Sequence, residues 1–184
     1  KSSAASDVYK RQYLIMGYIQ LYTGNGKGKT TAAFGLAIRA SFAGKKIFIG
    51  QFVKSMSYHE THIAEICKDI KIEQFGYGCC INRSPGIKDK ENALKGWGKC
   101  KDILARGTYD IIILDELTIA IYLGLLNEKD VITTLLGRNL HTEVIITGRY
   151  ATRELINIAD LVTDMQEIKH YYTKGVEARD GIER

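Results

Sequence analysis

One segment restricts the fold of this chain more than any other, the glycine-rich run from Thr23 to Thr31, which reads TGNGKGKTT. A short apolar stretch typical of a strand precedes it at 18–22. Small and apolar residues follow it over 29–43 with the pattern of a helix that Gly44 closes. A glycine-rich turn between a strand and a helix is the setting of a phosphate-binding loop. The sequence therefore predicts a strand, a loop and a helix that together hold an anion.

The loop supplies the groups that a triphosphate needs. Its glycines allow several backbone N–H groups to converge on one anion, and the start of the helix adds favourable partial charge. Lys29 supplies a positive charge, Thr30 a hydroxyl for Mg²⁺, and Thr31 a further donor. The match to G-x-x-x-x-G-K-[ST] is incomplete, because Thr23 stands where the first glycine should be. The alternative is a lysine- and glycine-rich hairpin turn, which the flanking strand and helix patterns disfavour.

The rest of the chain alternates short strand patterns with longer helical ones. Strands are predicted at 47–52, 70–75, 109–114, 144–147 and 161–165, and helices at 88–105, before Gly107, and at 129–136. The run at 109–114 is almost unbroken in its apolar residues, as in strands that are covered on both faces. This rhythm predicts an α/β fold with a doubly wound, mainly parallel sheet. Ligands of such sheets bind at the carboxyl ends of the strands.

An acidic pair, Asp115-Glu116, ends the apolar strand at 109–114. Mg²⁺ is bound through one or two carboxylates together with substrate phosphates, so this pair suits the metal of a nucleotide site. The alternative for Asp115 is a helix N-cap. Together with the phosphate loop, the metal role is favoured.

Composition narrows the class of protein. The net charge of +5 comes from scattered Lys and Arg residues, so nucleic-acid binding is not expected as a main function. No apolar run reaches the roughly 18 residues of a membrane helix, and we expect no membrane partner. The four cysteines form no C-x-x-C pair, which favours reduced thiols in a cytoplasmic protein. Residues 1–15 lack the apolar core of a signal peptide and resemble a translated adaptor. We expect them to be a non-native or disordered leader, with a single domain at 16–184.

Four further segments carry a resemblance to a known family. They are GQFVK at 50–54, LDELT at 114–118, ITGR at 146–149, and the tail after Lys169, with GVEARDGIE at 175–183. With the TGNGKGKTT loop, they closely resemble the P-loop type of ATP:corrinoid adenosyltransferase, also called cob(I)alamin adenosyltransferase. The likeness runs from about Met16 to the end, in the family's order and spacing. It implies a P-loop NTPase-like (RecA-like) three-layer fold.

The resemblance also implies a reaction and its participants. The cobalt of a corrinoid, reduced to the +1 state, attacks the 5′-carbon of ATP, and inorganic triphosphate leaves intact. Members of the family hold ATP reversed in the loop, so that the ribose carbon faces the corrin. The corrinoid is cobalamin or a precursor such as cobinamide, which places the enzyme in vitamin B12 biosynthesis. Mg²⁺, a reduced flavoprotein as electron donor and a homodimer are the further expectations.

Residue roles follow from the resemblance by position. It implies that ATP is held by residues of the loop and by Arg149, namely Gly24, Asn25, Gly26, Lys27, Gly28, Lys29, Thr30, Thr31 and Arg149. Catalysis is expected of Lys29, Thr30 and Glu116, and metal binding of Thr30, Asp115 and Glu116. The expected contacts to the corrinoid or the nucleotide are Gln51, Lys54, Tyr77 and Cys79. For Arg149 the alternative is a surface salt bridge.

One departure from the family pattern concerns the aromatic residues near the corrin. Some members carry an aromatic pair near the corrin, in a G-F-T-W-like segment, where this chain reads GYGCCI at 76–81. Tyr77 or Phe75 could substitute for the missing aromatics.

A second function is kept open beside adenosyl transfer. The same loop could serve a small kinase or ATPase, with Glu116 orienting the attacking group. The products distinguish the two: intact triphosphate from one, ADP and phosphate or a phosphorylated acceptor from the other.

Overall fold

The structure is a computed structural model and describes residues 16–54, 59–77 and 84–183. Six strands are found there: β1 Ile19–Thr23, β2 Ile47–Gln51, β3 Ile70–Gln74, β4 Ile111–Asp115, β5 Glu143–Thr147 and β6 Leu161–Asp164. The α-helices are α1 Lys29–Phe42, α2 Ile63–Ile66, α3 Ile87–Arg106, α4 Leu117–Tyr122, α5 Glu128–Leu136 and α6 Arg153–Ile158. Short 3₁₀ helices occupy His59–His62 and Tyr171–Lys174.

The strands form one sheet in the order β3-β2-β4-β5-β1-β6, and every pairing is parallel. The register aligns Ile113 of β4 with Ile49 of β2 on one side and with Ile145 of β5 on the other. All carboxyl ends therefore meet at one edge of the sheet. Because β5 lies between β1 and β4, the strands that lead to the phosphate loop and to Asp115 are two places apart, about 10 Å across the sheet.

Both faces of the sheet are covered, and this explains the nearly continuous apolar strands. In β4, Ile111 and Ile113 pack under α1, whereas Ile112 and Leu114 pack under the helices of the opposite face. The α1 face is filled by Ala33, Phe34, Ala37 and Ala40. The other face is filled by residues from α3 to α6, among them Trp97, Leu104, Leu117, Val131, Leu135 and Leu155. The predicted doubly wound, three-layer α/β fold is confirmed.

The predicted elements all occur, with ends that differ by at most a few residues. The strand predicted at 109–114 spans Ile111–Asp115, and the helix predicted at 88–105 spans Ile87–Arg106. Gly107 follows that helix with a left-handed φ of 62°, as the stop signal indicated. The short helices α2, α4 and α6 were not predicted, because four to six residues are too few to display a helical period.

Two further sequence expectations concern membrane helices and the first 15 residues. In the described part of the chain, no helix combines the length and the apolar character needed to cross a membrane. The expectation that residues 1–15 are a leader lies outside the described residues.

Candidate active site

The phosphate loop connects β1 to α1 and depends on its glycines for its shape. Gly24 has a φ of +93°, and a Cβ there would lie 2.2 Å from Oδ1 of Asp164 and 2.5 Å from the carbonyl oxygen of Met165. Gly28 has a φ of +122° and precedes α1 without any side-chain cap. The first turn of α1 therefore keeps N–H groups for an anion. Thr23 still lies in β1, so the glycine that the motif lacks at this position is not needed there, and Gly24 makes the turn one residue later.

Lys29 is held inside the loop. Its side chain is buried, and Nζ donates to the carbonyl oxygens of Gly24 and Gly26, both at 2.7 Å. Burial lowers the pKa of Lys29, as does the positive charge of Arg149, while Glu116 and Asp164 act in the opposite direction. With two donors engaged by the loop, the third N–H of the ammonium group remains for a ligand.

Asp115 is the centre of the site's polar network. Its side chain is fully buried at the end of β4. Oδ1 accepts from Thr30 Oγ1 at 2.9 Å and from Thr147 Oγ1 at 2.6 Å. Oδ2 accepts from Lys54 Nζ at 2.9 Å and from Gln51 Nε2 at 3.0 Å. The alternative reading of Asp115 as a helix N-cap is wrong, because Glu116 holds the cap position of α4 and makes no side-chain cap bond.

Glu116 lies beside this network in a strained conformation. Its φ of 59° is left-handed, a region that is uncommon for residues other than glycine and that clusters at functional sites. Burial, and then the negative charge of Asp115, raise the pKa of Glu116, while Lys54, Lys29 and Arg149 lower it. Glu116 lines the same cavity as the loop and Arg149. A Cβ at Gly148 would overlap Oγ1 of Thr118 and come within 3.3 Å of Glu116 Oε2, so the glycine leaves room for both side chains.

Lys54 and Gln51 reach the site from the end of β2. Burial lowers the pKa of Lys54, but the charge and hydrogen bond of Asp115, with Glu116 and Glu60, outweigh it, so the pKa is raised. Lys54 also lies 3.4 Å from Thr30 Oγ1 and 3.7 Å from Glu60. Gln51 is fully buried, and its Oε1 accepts from Gln74. This placement argues against the expected direct contact of Gln51 with the corrinoid or nucleotide, since its amide holds Asp115 instead.

Of the two other residues expected to contact the corrinoid or the nucleotide, the structure describes only Tyr77. Tyr77 is 48% exposed, with Lys88 Nζ 5.2 Å from its ring centroid, and Cys79 lies outside the described residues. Phe75 packs against Phe52 at a centroid distance of 5.4 Å. Phe75 is partly buried and packs against the hydrophobic core, and its substitution for a missing aromatic stays a prediction.

The loop and the strand ends enclose a cavity of about 640 Å³. Its lining combines loop residues, Lys54, Glu116 and Arg149 with Phe34, Gly35 and Ile38 of α1 and with part of the C-terminal tail. Thr31 also lines it. Among the described residues, no carboxylate lies within ion-pair distance of Arg149, so the surface salt bridge considered for it is not found there.

Lys27 has a neighbourhood that the sequence did not predict. Its Nζ donates to Glu183 Oε1 at 2.7 Å, to the carbonyl oxygen of Ile182 at 2.8 Å and to Tyr171 Oη at 3.1 Å. The resemblance placed the tail in the family pattern but gave Ile182 and Glu183 no role. The structure brings the tail to the phosphate loop.

Thr147 was also missed. It donates to Asp115 and accepts from the backbone N–H of Glu116 at 3.0 Å, so it fixes both acidic residues. The signal that singled out Asp115, a polar residue at the end of an apolar strand, is present at Thr147 as well.

The donor set at Asp115 fits Mg²⁺. A carboxylate and a threonine hydroxyl in contact, next to a phosphate loop, are the few protein groups that Mg²⁺ uses beside water and phosphate oxygens. Within the described residues, no group of three or more His, Cys, Asp or Glu side chains could hold a metal by itself. The metal would therefore depend on the substrate's phosphates.

The family model for ATP:corrinoid adenosyltransferase BtuR/CobO/CobP matches residues 16–184. The chain belongs to this family. It is 36% identical to the corrinoid adenosyltransferase CobA of Salmonella typhimurium over 168 residues, 91% of this chain and 85% of that protein. It is 35% identical to the corrinoid adenosyltransferase of Escherichia coli K12 with the same coverage. It is also 33% identical to that of a Sinorhizobium species, over 91% of this chain and 80% of the relative. This adenosyltransferase family assignment agrees with the resemblance that the loop and the tail carried.

Proposed function

We propose that this chain transfers the 5′-deoxyadenosyl group of ATP to the reduced cobalt of a corrinoid and releases inorganic triphosphate. The observation that carries the proposal is the contact of Thr30 with Asp115 beside Lys29, which joins the phosphate loop to the acidic strand end in a member of the adenosyltransferase family. In the reaction the cobalt(I) electron pair forms the Co–C5′ bond. The C5′–O bond breaks, its electron pair leaves with triphosphate, and cobalt becomes formally +3.

The residues of the site act on the leaving group. Triphosphate gains negative charge as the C5′–O bond breaks, and donors fixed in advance at that position lower the barrier. We assign this role to the loop N–H groups, to Lys29 and to Arg149, which lines the same cavity. No proton has to be removed from the nucleophile, so the site needs no general base. We therefore assign Glu116 and Lys54 to positioning the bound groups and to balancing the charge of the site.

We assign Mg²⁺ to Thr30 and Asp115, with Glu116 nearby. The metal would neutralise phosphate charge. Thr147 and Gln51 hold the Asp115 carboxylate in place for this purpose. The further proposals that rest on the family are a homodimer, a reduced flavoprotein as electron donor, and a cytoplasmic enzyme that acts on cobalamin or cobinamide.

Phosphoryl transfer is the alternative, and the family assignment does not favour it. A kinase or ATPase would release ADP from the same loop.

The test is product analysis with the full chain, ATP, Mg²⁺ and chemically reduced cobalamin without oxygen. We expect a light-sensitive adenosylated corrinoid, with one triphosphate released for each corrinoid that is adenosylated. Lys29→Ala should lower the rate by about 100-fold or more, since it removes a charge aimed at the leaving group. Lys95→Ala removes an exposed charge from α3 and is the matched control that keeps the rate. ADP and phosphate with an unchanged corrinoid would contradict the proposal.

A further inference from the structure

All donors of Lys27 are engaged by the C-terminal tail. A lysine ammonium group has three N–H donors. In Lys27 they meet the carboxylate of Glu183, the carbonyl oxygen of Ile182 and the hydroxyl of Tyr171. Lys27 therefore cannot donate to a phosphate in the loop unless it releases a tail contact.

Glu183 would keep its other partners after such a release. Its carboxylate accepts from the backbone N–H of Arg179 at 2.9 Å, from Nη2 at 3.2 Å and from Nε at 3.3 Å. It also accepts from the hydroxyl of Tyr171. Hydrogen bonds from Arg179, Lys27 and Tyr171 hold the pKa of Glu183 well below its usual range. The group is thus an anion at neutral pH, and losing Lys27 leaves it paired.

The tail reaches into the cavity that would receive the triphosphate. Gly181, Ile182 and Glu183 line the same cavity as Lys29 and Thr30. Oδ1 of Asp180 lies 3.0 Å from Nε2 of His59, so the tail also contacts another residue that lines this cavity. A bound phosphate and the Glu183 carboxylate would both be close to the Lys27 ammonium group. Two like charges so close together repel each other, so only one of them can pair with Lys27 at a time.

We propose that Glu183 is an internal competitor of triphosphate for Lys27. When the substrate binds, Lys27 leaves Glu183 and pairs with the substrate phosphates. When the product leaves, Lys27 pairs with Glu183 again. The tail thereby weakens the hold of the loop on a highly charged product and favours its release. The identity of that product rests on the proposed function.

The test measures binding of inorganic triphosphate to the full chain by calorimetry, in magnesium buffer and without corrinoid. Glu183→Gln should bind about two- to fivefold more tightly than the unsubstituted chain, the range of one exposed ion pair. Lys27→Gln should bind more weakly. In the double variant, Glu183→Gln should add nothing to Lys27→Gln, because the competition is then absent. If Glu183→Gln does not fold, Glu183→Asp gives the same readout with a smaller gain.

Glu177→Gln is the matched control, because it removes the same charge from an exposed position of the same tail. It should leave the dissociation constant unchanged. Equal or weaker binding by Glu183→Gln would overturn the proposal, and so would a gain that persists without Lys27 or appears equally in the control. If this pattern is found but no adenosylated corrinoid is made, only the proposed function fails.

Discussion

At the scale of single residues, Asp115 is the side chain on which the site depends most. It accepts from four donors, of which one is the charged ammonium group of Lys54, whose side chain is 17% exposed. In Asp115→Asn, the amide NH₂ can replace only one carboxylate oxygen, so it either faces Gln51 and Lys54 or faces the two threonines. Some of these donors then lose their acceptor, and Lys54 loses its ion pair with Asp115.

We therefore expect Asp115→Asn to lower the free energy of unfolding by about 3 kcal/mol. Urea denaturation at pH 7 measures this difference. Asp102→Asn, on the exposed side of α3, is the matched control and should change stability by less than about 0.5 kcal/mol. A loss of under about 1 kcal/mol in Asp115→Asn would mean that the network adds little to stability.

The cysteines allow a second residue-scale prediction, on chemical reactivity. Burial, with a smaller contribution from the charge of Glu73, raises the pKa of Cys100 to about 12. Only the thiolate reacts with alkylating agents, and at pH 9 about 0.1% of such a thiol is ionised. Cys100 of the native protein should therefore resist iodoacetamide at pH 9, whereas the half-buried Cys67 should react.

Peptide mapping by mass spectrometry distinguishes these cysteines. The unfolded chain is the control, because both thiols then have an ordinary pKa and should be modified at similar rates. Rapid modification of Cys100 in the folded chain would mean that this part of the α3 face opens to solvent.

At the scale of elements, α3 is positioned by a close approach to Phe75. A Cβ built at Gly96 would lie 2.1 Å from Cγ of Phe75, whereas a Cβ at Gly98 meets nothing within 4 Å. The same substitution at these two positions of one helix should therefore have opposite effects. Phe75 in turn packs on Phe52, which follows β2 and the buried Gln51.

Gly96→Ala should destabilise the protein by about 1–3 kcal/mol, because the added methyl group has no space beside the Phe75 ring. Gly98→Ala is its matched control and should stabilise by about 0.5–1 kcal/mol, the difference in helix propensity. Thermal unfolding of both variants measures the contrast. If both variants were stabilised, Phe75 would have to move from α3 at little cost.

At the scale of the whole molecule, one cavity joins the ends of four strands. The loop follows β1, Lys54 follows β2, Glu116 follows β4 and Arg149 follows β5, and all of them line one cavity. A ligand that binds there stabilises the folded state in proportion to the logarithm of its concentration over its dissociation constant.

Magnesium triphosphate at 100 times its dissociation constant should stabilise the chain by about 2.7 kcal/mol. For a domain of this size, that raises the unfolding temperature by about 5–10 °C. Lys29→Ala should lose most of this shift, while Lys95→Ala should keep it. An undiminished shift in Lys29→Ala would place the binding site elsewhere.

The sequence by itself determined the elements and the class of fold. The apolar run before Asp115 predicted a strand covered on both faces, and the glycines after β1 predicted the loop. These features are local, since a strand or a turn depends on neighbouring residues. The acidic pair and the loop could therefore be assigned to one site once a parallel sheet was expected. The short helices could not be predicted, because tertiary contacts and not a periodic pattern define them.

Only the tertiary structure decided which distant residues meet. Thr30, Gln51, Lys54 and Thr147 converge on Asp115 because β2 and β5 flank β4, and strand order is not written in any local pattern. Lys27 and Glu183 are 156 positions apart, and nothing near either residue predicts the ion pair. Such contacts form only when the packed sheet brings separate segments together, so their partners are a property of the folded chain.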